Sequence, residues 1–348
     1  MKKLIIICLV ISLVACNRSK APDVSSIKVE LKVARFDQDF FKLDTNNLSD
    51  GLSGLQQKYP GFLNDYLMHI LGLQPDSVMS EGSMERVALK QFLRDYRPVF
   101  DSAQVLYSNF DKWAEGIKKG LQHVKYYFPD YPLPNKVITY IGPMDAFFMT
   151  SYGLQGDVLT NAGIGVGLQL HLGQDFSFYQ SDEGMALYPK YISQTFTPGN
   201  IPVNSMKNIA DDIFPQDGRA FSLIEQIVNS GRRYYLLELF LPGVDEASVF
   251  GYTPDQLKGA YSNEAVIWDF FLNNDLLNSS DQDVIKNYIG QSPKTQEFGE
   301  SSPGNLGSFT GLQIVKKFMQ KFPDVSPDSL MKVPAREVYE RSKYKPKG

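Results

Sequence analysis

The chain has 348 residues, of which 43% are hydrophobic and 13% aromatic, so it is long enough and apolar enough to bury a large core. Its formal net charge is −4, and no basic arm or cluster offsets that balance. Both features argue against nucleic acid as a partner.

The first fifteen residues have the features of a secretory signal peptide. The basic start MKK precedes an apolar stretch, Leu4 to Val14, that is too short to span a bilayer as a helix. The segment LVAC then places a small residue directly before Cys16, as in a bacterial lipobox. We expect cleavage before Cys16, diacylglycerol on its thiol and an acyl chain such as palmitate on its amine. The alternative is an ordinary signal peptide cut near Ala15.

Cleavage would leave Cys16 as the one cysteine of the mature chain, because Cys8 is removed with residues 1–15. A disulfide or a thiolate metal site is therefore not expected. The same cleavage removes two lysines and no acid, which changes the net charge to −6. Residues 16–28 are polar and rich in small side chains, and they predict a flexible tether. Residues 29–348 are predicted to form a single domain.

Helical spacing dominates the first part of this domain. Residues 29–44 begin with the alternation that is typical of a strand and then become aromatic. Apolar residues three and four apart in residues 48–73 predict two short helices, broken at Pro60. Ser80, with Glu81 in the first turn, is the predicted start of the next helix.

The pattern changes at Lys136, where KVITYIGP predicts a short β-branched strand. Residues 157–173 predict a second strand or a hairpin, with three glycines at its centre. Helical spacing then returns and is interrupted by a Gly/Ser/Pro-rich loop at residues 299–308. No change of composition marks a domain boundary. The expected class is mainly α, α+β, with helices around a small β element.

The histidines are too few and too dispersed to predict a metal site. His69, His123 and His171 are separated by dozens of residues, and no H-E-x-x-H motif is present. We expect His171 to lie at a strand end, with its ring packed and its nitrogens bonded to backbone or water. The segment GIGVG lacks the spacing of phosphate-binding loops, so close strand packing is the expected role of its glycines. No metal or cofactor is predicted.

Two carboxylates are harder to explain structurally. Glu225 and Glu238 lie on one helical run, and Glu238 interrupts an apolar stretch. A buried carboxylate is costly unless it is paired, and Arg232, Arg233 and tyrosine hydroxyls are the nearby candidates. A salt-linked core helix is the expected interpretation. A glycosidase-like pair of acids is the alternative, but sequence spacing cannot establish the required separation.

Other candidates for chemistry are weaker. No G-x-S-x-G elbow is present, and no cysteine serves thiol chemistry. Asp211 and Asp212 are expected on a solvated face, and Glu264 is expected to be a first-turn acid favoured by the helix dipole. No catalytic residue is predicted.

Several longer sequence segments, distributed over essentially the whole mature chain, resemble those of a known family. With the lipobox, they look like the gliding motility-associated lipoprotein GldB family. The resemblance implies a lipid-anchored envelope protein needed for movement over surfaces, alongside other lipoproteins, some associated with the type IX secretion apparatus. That family has no established catalytic residues, so Cys16, as the lipidated cysteine, is the one residue to which the resemblance assigns a role. The matching phrases are ARFDQDFFKLDTNNL, LQQKYPGFLNDY, GLQLHLGQDFSFY, LYPKYISQTFTPGNI, GRRYYLLELFLPG, NEAVIWDFFLNNDLL, TGLQIVKKFMQKFPDVSPDSLM and SKYKP.

A more distant resemblance is to predicted zinc peptidases of the zincin type. It rests on the order of a glycine-rich strand, an LG pair, an aromatic segment and a later helix containing GRRYYLLE. Zincins carry H-E-x-x-H between these features, whereas residues 204–215 contain no histidine. The resemblance therefore implies a zincin-like arrangement without its metal site.

Three functions remain as hypotheses. The first is a non-enzymatic envelope lipoprotein that binds other motility or secretion components. The alternative is an envelope hydrolase acting on peptides or polysaccharide through Glu225, Glu238 or Glu264. A third is a solute-binding lipoprotein with aromatic side chains that stack on sugars. A periplasm-facing position is expected, because Asn17 follows the cysteine and no acidic run comes after it.

Overall fold

The computed structural model describes residues 21–217, 219 and 221–346. Helices make up most of this part of the chain and surround two small sheets, so the expected mainly α, α+β class is confirmed. The helices are α1 (Phe36–Phe40), α2 (Leu48–Lys58), α3 (Phe62–Asp65), α4 (Pro75–Met79), α5 (Met84–Asp95), α6 (Arg97–Leu106), α7 (Asp111–Tyr127), α8 (Asp182–Leu187), α9 (Lys190–Ser193), α10 (Ile201–Ile213), α11 (Leu223–Phe240), α12 (Glu246–Phe250), α13 (Pro254–Ser262), α14 (Glu264–Asn273), α15 (Gln282–Tyr288), α16 (Leu306–Lys321), α17 (Pro327–Lys332) and α18 (Ala335–Ser342). The strands are β1 (Lys32–Ala34), β2 (Lys136–Tyr140), β3 (Phe148–Thr150), β4 (Gly153–Gln155), β5 (Val158–Thr160) and β6 (Gly163–Gly167).

The helices on either side of Pro60 are confirmed. Helix α2 ends before the proline, and Gly61 adopts φ 84°, a left-handed conformation that glycine tolerates best. Helix α3 follows and continues directly into a π-helical turn, Tyr66–Ile70. The turn buries Tyr66 in the core and leaves His69 exposed.

The predicted helix start at Ser80 is wrong. Helix α4 ends before Ser80, and Gly82 has φ 76°, which interrupts the chain before α5. The N-cap of α5 is Ser83, whose side-chain oxygen accepts a hydrogen bond from the Arg86 amide at 3.1 Å. A serine cap alone therefore suffices here, without the reciprocal glutamate of a capping box.

The main sheet has four strands in the order β1-β2-β6-β5. Strands β1, β2 and β6 are parallel, whereas β5 runs antiparallel to β6 and forms one edge. The β5–β6 pair is the hairpin predicted within residues 157–173. The strand GIGVG is fully buried, and a Cβ at Gly163 would meet the carbonyl oxygen of Lys136. Close strand packing thus explains the glycines, as expected.

Strands β3 and β4 form a separate two-stranded antiparallel sheet that the sequence pattern did not predict. Each has three residues, too few to show a clear alternation. In chain order this hairpin lies between β2 and β5 of the main sheet. It shapes both cavities described below.

The helical core is centred on the crossing of α11 and α16. At this crossing Gly231 and Gly311 bring the two backbones into contact, and a Cβ at Gly311 would overlap the carbonyl oxygen of Ile227. The hydroxyls of Ser230 and Ser308 form a hydrogen bond of 2.6 Å in the same contact. Small residues therefore set the distance between the two helices.

The described residues of the predicted tether make a few contacts with the body. Val24 is buried, and the carbonyl oxygen of Ile27 accepts a hydrogen bond from Gln122 Nε2 at 2.7 Å. The predicted signal peptide and Cys16 lie outside the described residues. Among the helices of the described part, none is both long and apolar enough to cross a membrane.

Candidate functional site

An open groove runs beside the edge strand β5. All residues of β3 and β5 line it, together with the loop before β2, the π-helical turn and the end of α10. The space is about 2340 Å³, part of it open to solvent. We refer to this feature as the edge-strand groove. Its polar lining residues include Asp65, His69, Asp211 and Asp212.

A second, smaller cavity lies on the other side of the β3–β4 hairpin. Its volume is about 790 Å³, part of it open to solvent, and Thr150 lines both spaces. The amide nitrogen of Gln155 is buried here without a hydrogen-bond partner among the residues that the structure describes. Phe250 stacks on Tyr234, with ring centroids 4.2 Å apart, and Tyr252 stacks on Phe250 at 5.1 Å. The cavity therefore combines amide groups with an aromatic wall.

A charged cluster on α10 and α11 lies beside the groove and the cavity. The Asp211 carboxylate accepts a hydrogen bond from the Ser151 amide at 2.8 Å and lies 3.4 Å from Arg233 Nε. The Lys207 ammonium lies 5.5 Å from the ring centroid of Tyr152, a cation–π distance. Phe214 lies beneath the Arg233 guanidinium, at 4.8 Å. The cluster thus places two cations, Lys207 and Arg233, near the Asp211 carboxylate.

Burial shifts the pKa values of this cluster away from the charged forms. It lowers the pKa of Lys207 from 10.5 to about 8, while the negative charge of Asp211 opposes the shift. Burial raises the pKa of Asp211, against its hydrogen bonds with Ser151 and the charge of Arg233. The pKa of Arg233 is lowered, again mainly by burial.

We expect stability to depend on pH through Lys207. Between about pH 8 and about pH 10.5 the unfolded chain holds the lysine proton more tightly than the native chain, so raising the pH increases the contribution of Lys207 to the free energy of unfolding. In Lys207→Met this increase should be absent. Urea denaturation at about pH 7.5 and about pH 9.5 measures it. Lys190→Met, at an exposed position, should retain the wild-type slope, and an unchanged slope in Lys207→Met would contradict the assignment.

His171 is buried and fully engaged. Its Nε2 lies 2.9 Å and 3.0 Å from the two carboxylate oxygens of Asp157, and its Nδ1 lies 3.2 Å from the carbonyl oxygen of Thr197. Asp157 is itself buried and accepts a hydrogen bond from the Gly167 amide at 3.0 Å. The carbonyl oxygen of His171 accepts a further bond from Tyr107 at 2.6 Å. The predicted packing of the ring is confirmed, although a carboxylate, and not only backbone, binds it. The predicted strand-end position is wrong, because β6 ends at Gly167 and a short helical turn, Leu168–Leu170, precedes His171.

The other histidines lie in different surroundings. His69 is exposed at the edge-strand groove, whereas His123 is buried in α7 with its Nδ1 unpaired among the described residues. Burial and the charge of Lys119 lower the pKa of His123. Within residues 21–217, 219 and 221–346, no group of three or more His, Cys, Asp or Glu side chains could hold a metal ion.

The three candidate carboxylates are engaged in separate structural contacts. Glu225 Oε2 accepts the Ser222 amide at 3.0 Å at the start of α11, and Glu264 accepts the Tyr344 hydroxyl at 2.8 Å. Glu238 forms an ion pair with Lys316 of α16. Thirteen residues of one helix place Glu225 and Glu238 about 20 Å apart. That separation exceeds what a glycosidase pair needs, so this pairing is wrong.

The two arginines that were expected to pair with Glu225 and Glu238 bind other groups. Arg232 donates to the carbonyl oxygen of Val333, and Arg233 faces Asp211, so the prediction that Asp211 lies on a solvated face is wrong. Asp212 is exposed, as expected, and accepts the Tyr131 hydroxyl at 2.6 Å.

Sequence reasoning missed three residues of this region: Asp157, Gln155 and Lys207. Asp157 is the acid that opens the hairpin segment, next to apolar residues, and its burial could have been suspected from that position. Lys207 stands among apolar residues of α10, four positions before Asp211, which is a spacing that brings side chains together. No signal in the sequence distinguishes Gln155.

Comparison with known families matches residues 17–346 to the family described as gliding motility protein GldB. A search of curated proteins finds no significant match, and neither does a search of solved structures. The family match begins directly after Cys16 and covers nearly all of the remaining chain. The chain therefore belongs to the GldB family of gliding motility proteins.

Proposed function

We propose that this protein is a lipid-anchored component of the cell envelope that serves gliding motility by binding other proteins of a motility or type IX secretion assembly. The family match over residues 17–346 is the observation that carries the proposal. In this role the protein acts through contacts and catalyses no reaction.

The proposed anchor is Cys16. The apolar stretch, the small residue before the cysteine and the start of the family match at residue 17 support cleavage and acylation at this position. Acyl chains at Cys16 would hold the body at a membrane surface, because two or more chains anchor a protein stably. We propose a periplasm-facing position for the body, which the absence of an acidic run after Asn17 favours.

The edge-strand groove is the proposed binding surface. It is the larger of the two spaces at the β3–β4 hairpin, and it is open enough to admit a polypeptide segment. The carboxylates considered for hydrolysis are engaged elsewhere, in a helix cap, an ion pair and a tyrosine hydrogen bond. A zincin-like origin of the groove is part of this proposal; the order of segments in the sequence supports it, since α10 falls in the interval where zincins carry H-E-x-x-H.

Cys16→Ser tests the anchor in the living cell. The variant should move from the membrane to the soluble periplasmic fraction, fail to incorporate labelled palmitate and reduce spreading on agar, because its body is no longer held at the envelope. Cys8→Ser, a matched change inside the signal peptide, should retain all three properties. Membrane retention of Cys16→Ser with normal labelling would contradict the lipid anchor.

Deletion of the gene tests the motility role separately. We expect loss of spreading, restored by the wild-type gene. A cross-linked pull-down of the tagged chain from whole membranes should recover other envelope lipoproteins of the motility or secretion machinery. Normal gliding and secretion after clean deletion would overturn the proposed function.

A further inference from the structure

The edge strand β5 leaves one side of its backbone unpaired. Its three residues pair with β6 in antiparallel register, from Val158 opposite Gly165 to Thr160 opposite Gly163. Within the described part of the chain, residues 158–160 make no backbone hydrogen bond outside this pair. In an antiparallel pair, every second residue directs its N–H and C=O away from the partner strand. Such an edge is a template for another strand.

The groove provides space for that strand. All three residues of β5 and all three of β3 line it, and no ladder joins β3 to β5 in the part of the molecule that is described. Apolar side chains are available for contact: Phe148 and Leu159 are half-buried, and Met149 is 77% exposed at the rim. An extended segment could therefore bury side chains of one face while its backbone pairs with β5.

The negative charge of the groove favours a bound segment that carries basic side chains. Three aspartates, Asp65, Asp211 and Asp212, line it, and its described lining contains neither lysine nor arginine. Asp211 is paired with Arg233, so Asp65 and Asp212 supply the negative charge that a ligand can meet. Asp65 is half-buried and Asp212 is exposed, so both can meet a ligand. An acidic groove attracts cations, and charge complementarity fixes partner choice and register more than it adds affinity.

We propose that the edge-strand groove binds an extended, lysine- or arginine-bearing segment of another envelope protein, which adds as a strand to β5. This inference rests on the proposed function and names the class of partner that the assembly component would hold. Backbone pairing supplies affinity, and the aspartates select basic side chains at alternate positions, because alternate residues of a strand face the same side.

Fluorescence anisotropy with synthetic peptides tests the proposal. The probe is a short labelled peptide in which lysine alternates with valine and threonine, titrated with the full-length chain purified from membranes in detergent. It should bind, whereas the same peptide with glutamate for lysine should bind at least about tenfold more weakly. A lysine peptide that is N-methylated at every residue should also bind at least about tenfold more weakly, because neither of its edges can donate hydrogen bonds to a strand. Equal binding of the methylated peptide would overturn strand addition.

Paired charge variants locate the site. The double variant Asp65→Lys/Asp212→Lys should weaken binding of the lysine peptide by about tenfold or more. Asp269→Lys/Glu340→Lys makes the same change of charge at exposed positions outside the groove and should alter binding less than about twofold. Equal weakening by the two double variants, or no binding by the wild type, would overturn the proposal. Neither outcome would affect the membrane and spreading results for Cys16→Ser. Failure of the groove proposal can therefore be distinguished from failure of the proposed function.

Discussion

Gly311→Val is expected to destabilise the protein by more than about 3 kcal/mol. The reason is steric. A Cβ at Gly311 would overlap the carbonyl oxygen of Ile227 on the facing helix, and a Cβ at Gly231 would overlap the backbone of Gly311. Because the obstacle is backbone and not a flexible side chain, α11 and α16 would have to separate. The melting temperature and the urea midpoint of the purified variant measure the loss.

Gly54→Ala is the matched control for this change. Gly54 is also inside a helix, α2, but a Cβ at this position has no heavy atom within 4 Å. Alanine should stabilise the helix there by about 0.5–1 kcal/mol through its higher helix propensity. If Gly311→Val melted within a few degrees of the wild type, the close crossing of α11 and α16 would be wrong.

The second large effect is expected at His171. His171→Leu removes the ring that binds both oxygens of Asp157 and leaves a buried carboxylate with the Gly167 amide as its remaining partner in the described structure. Breaking such a buried pair typically costs about 3–5 kcal/mol. Chemical denaturation at neutral pH measures this cost as a lower free energy of unfolding.

A double variant separates the pair from a general packing effect. In His171→Leu/Asp157→Asn the carboxylate charge is absent, so part of the lost stability should return, and the double-mutant cycle gives the coupling. Addition of a chelator should leave the wild-type melting curve unchanged, since both ring nitrogens contact oxygen atoms of the protein. A chelator-dependent fall in melting temperature, or additive losses in the cycle, would contradict the Asp157–His171 pair.

Local sequence features predicted the parts of the fold that local physics determines. Pro60 broke a helical pattern at the observed place, and the glycines of residues 163–167 indicated a closely packed strand in a hairpin. These features depend on backbone conformation and on neighbours within a few residues. The helix start predicted at Ser80 is wrong because Glu81, an acid suited to a first turn, is a stronger signal in the sequence than Gly82 and the N-cap Ser83.

The candidate site could not be predicted in the same way, because its contacts join distant segments. Glu238 pairs with Lys316, which follows it by more than seventy residues on another helix. The groove requires β3, β5 and α10 to converge, and neither short strand has a distinctive pattern. The Asp157–His171 pair lies within one segment, yet the bend between β6 and His171 that closes it is a tertiary feature.

The parallel pairing of β1 with β2 has a consequence for the order of events during the proposed export. Lys32 pairs with Lys136, so the first strand has no partner until more than a hundred further residues have emerged from the translocation channel. Contacts between such distant segments form late, since a long loop must close first. Closure of the sheet therefore has to wait for residues 136–140, which leave the channel long after the proposed lipidation position, Cys16.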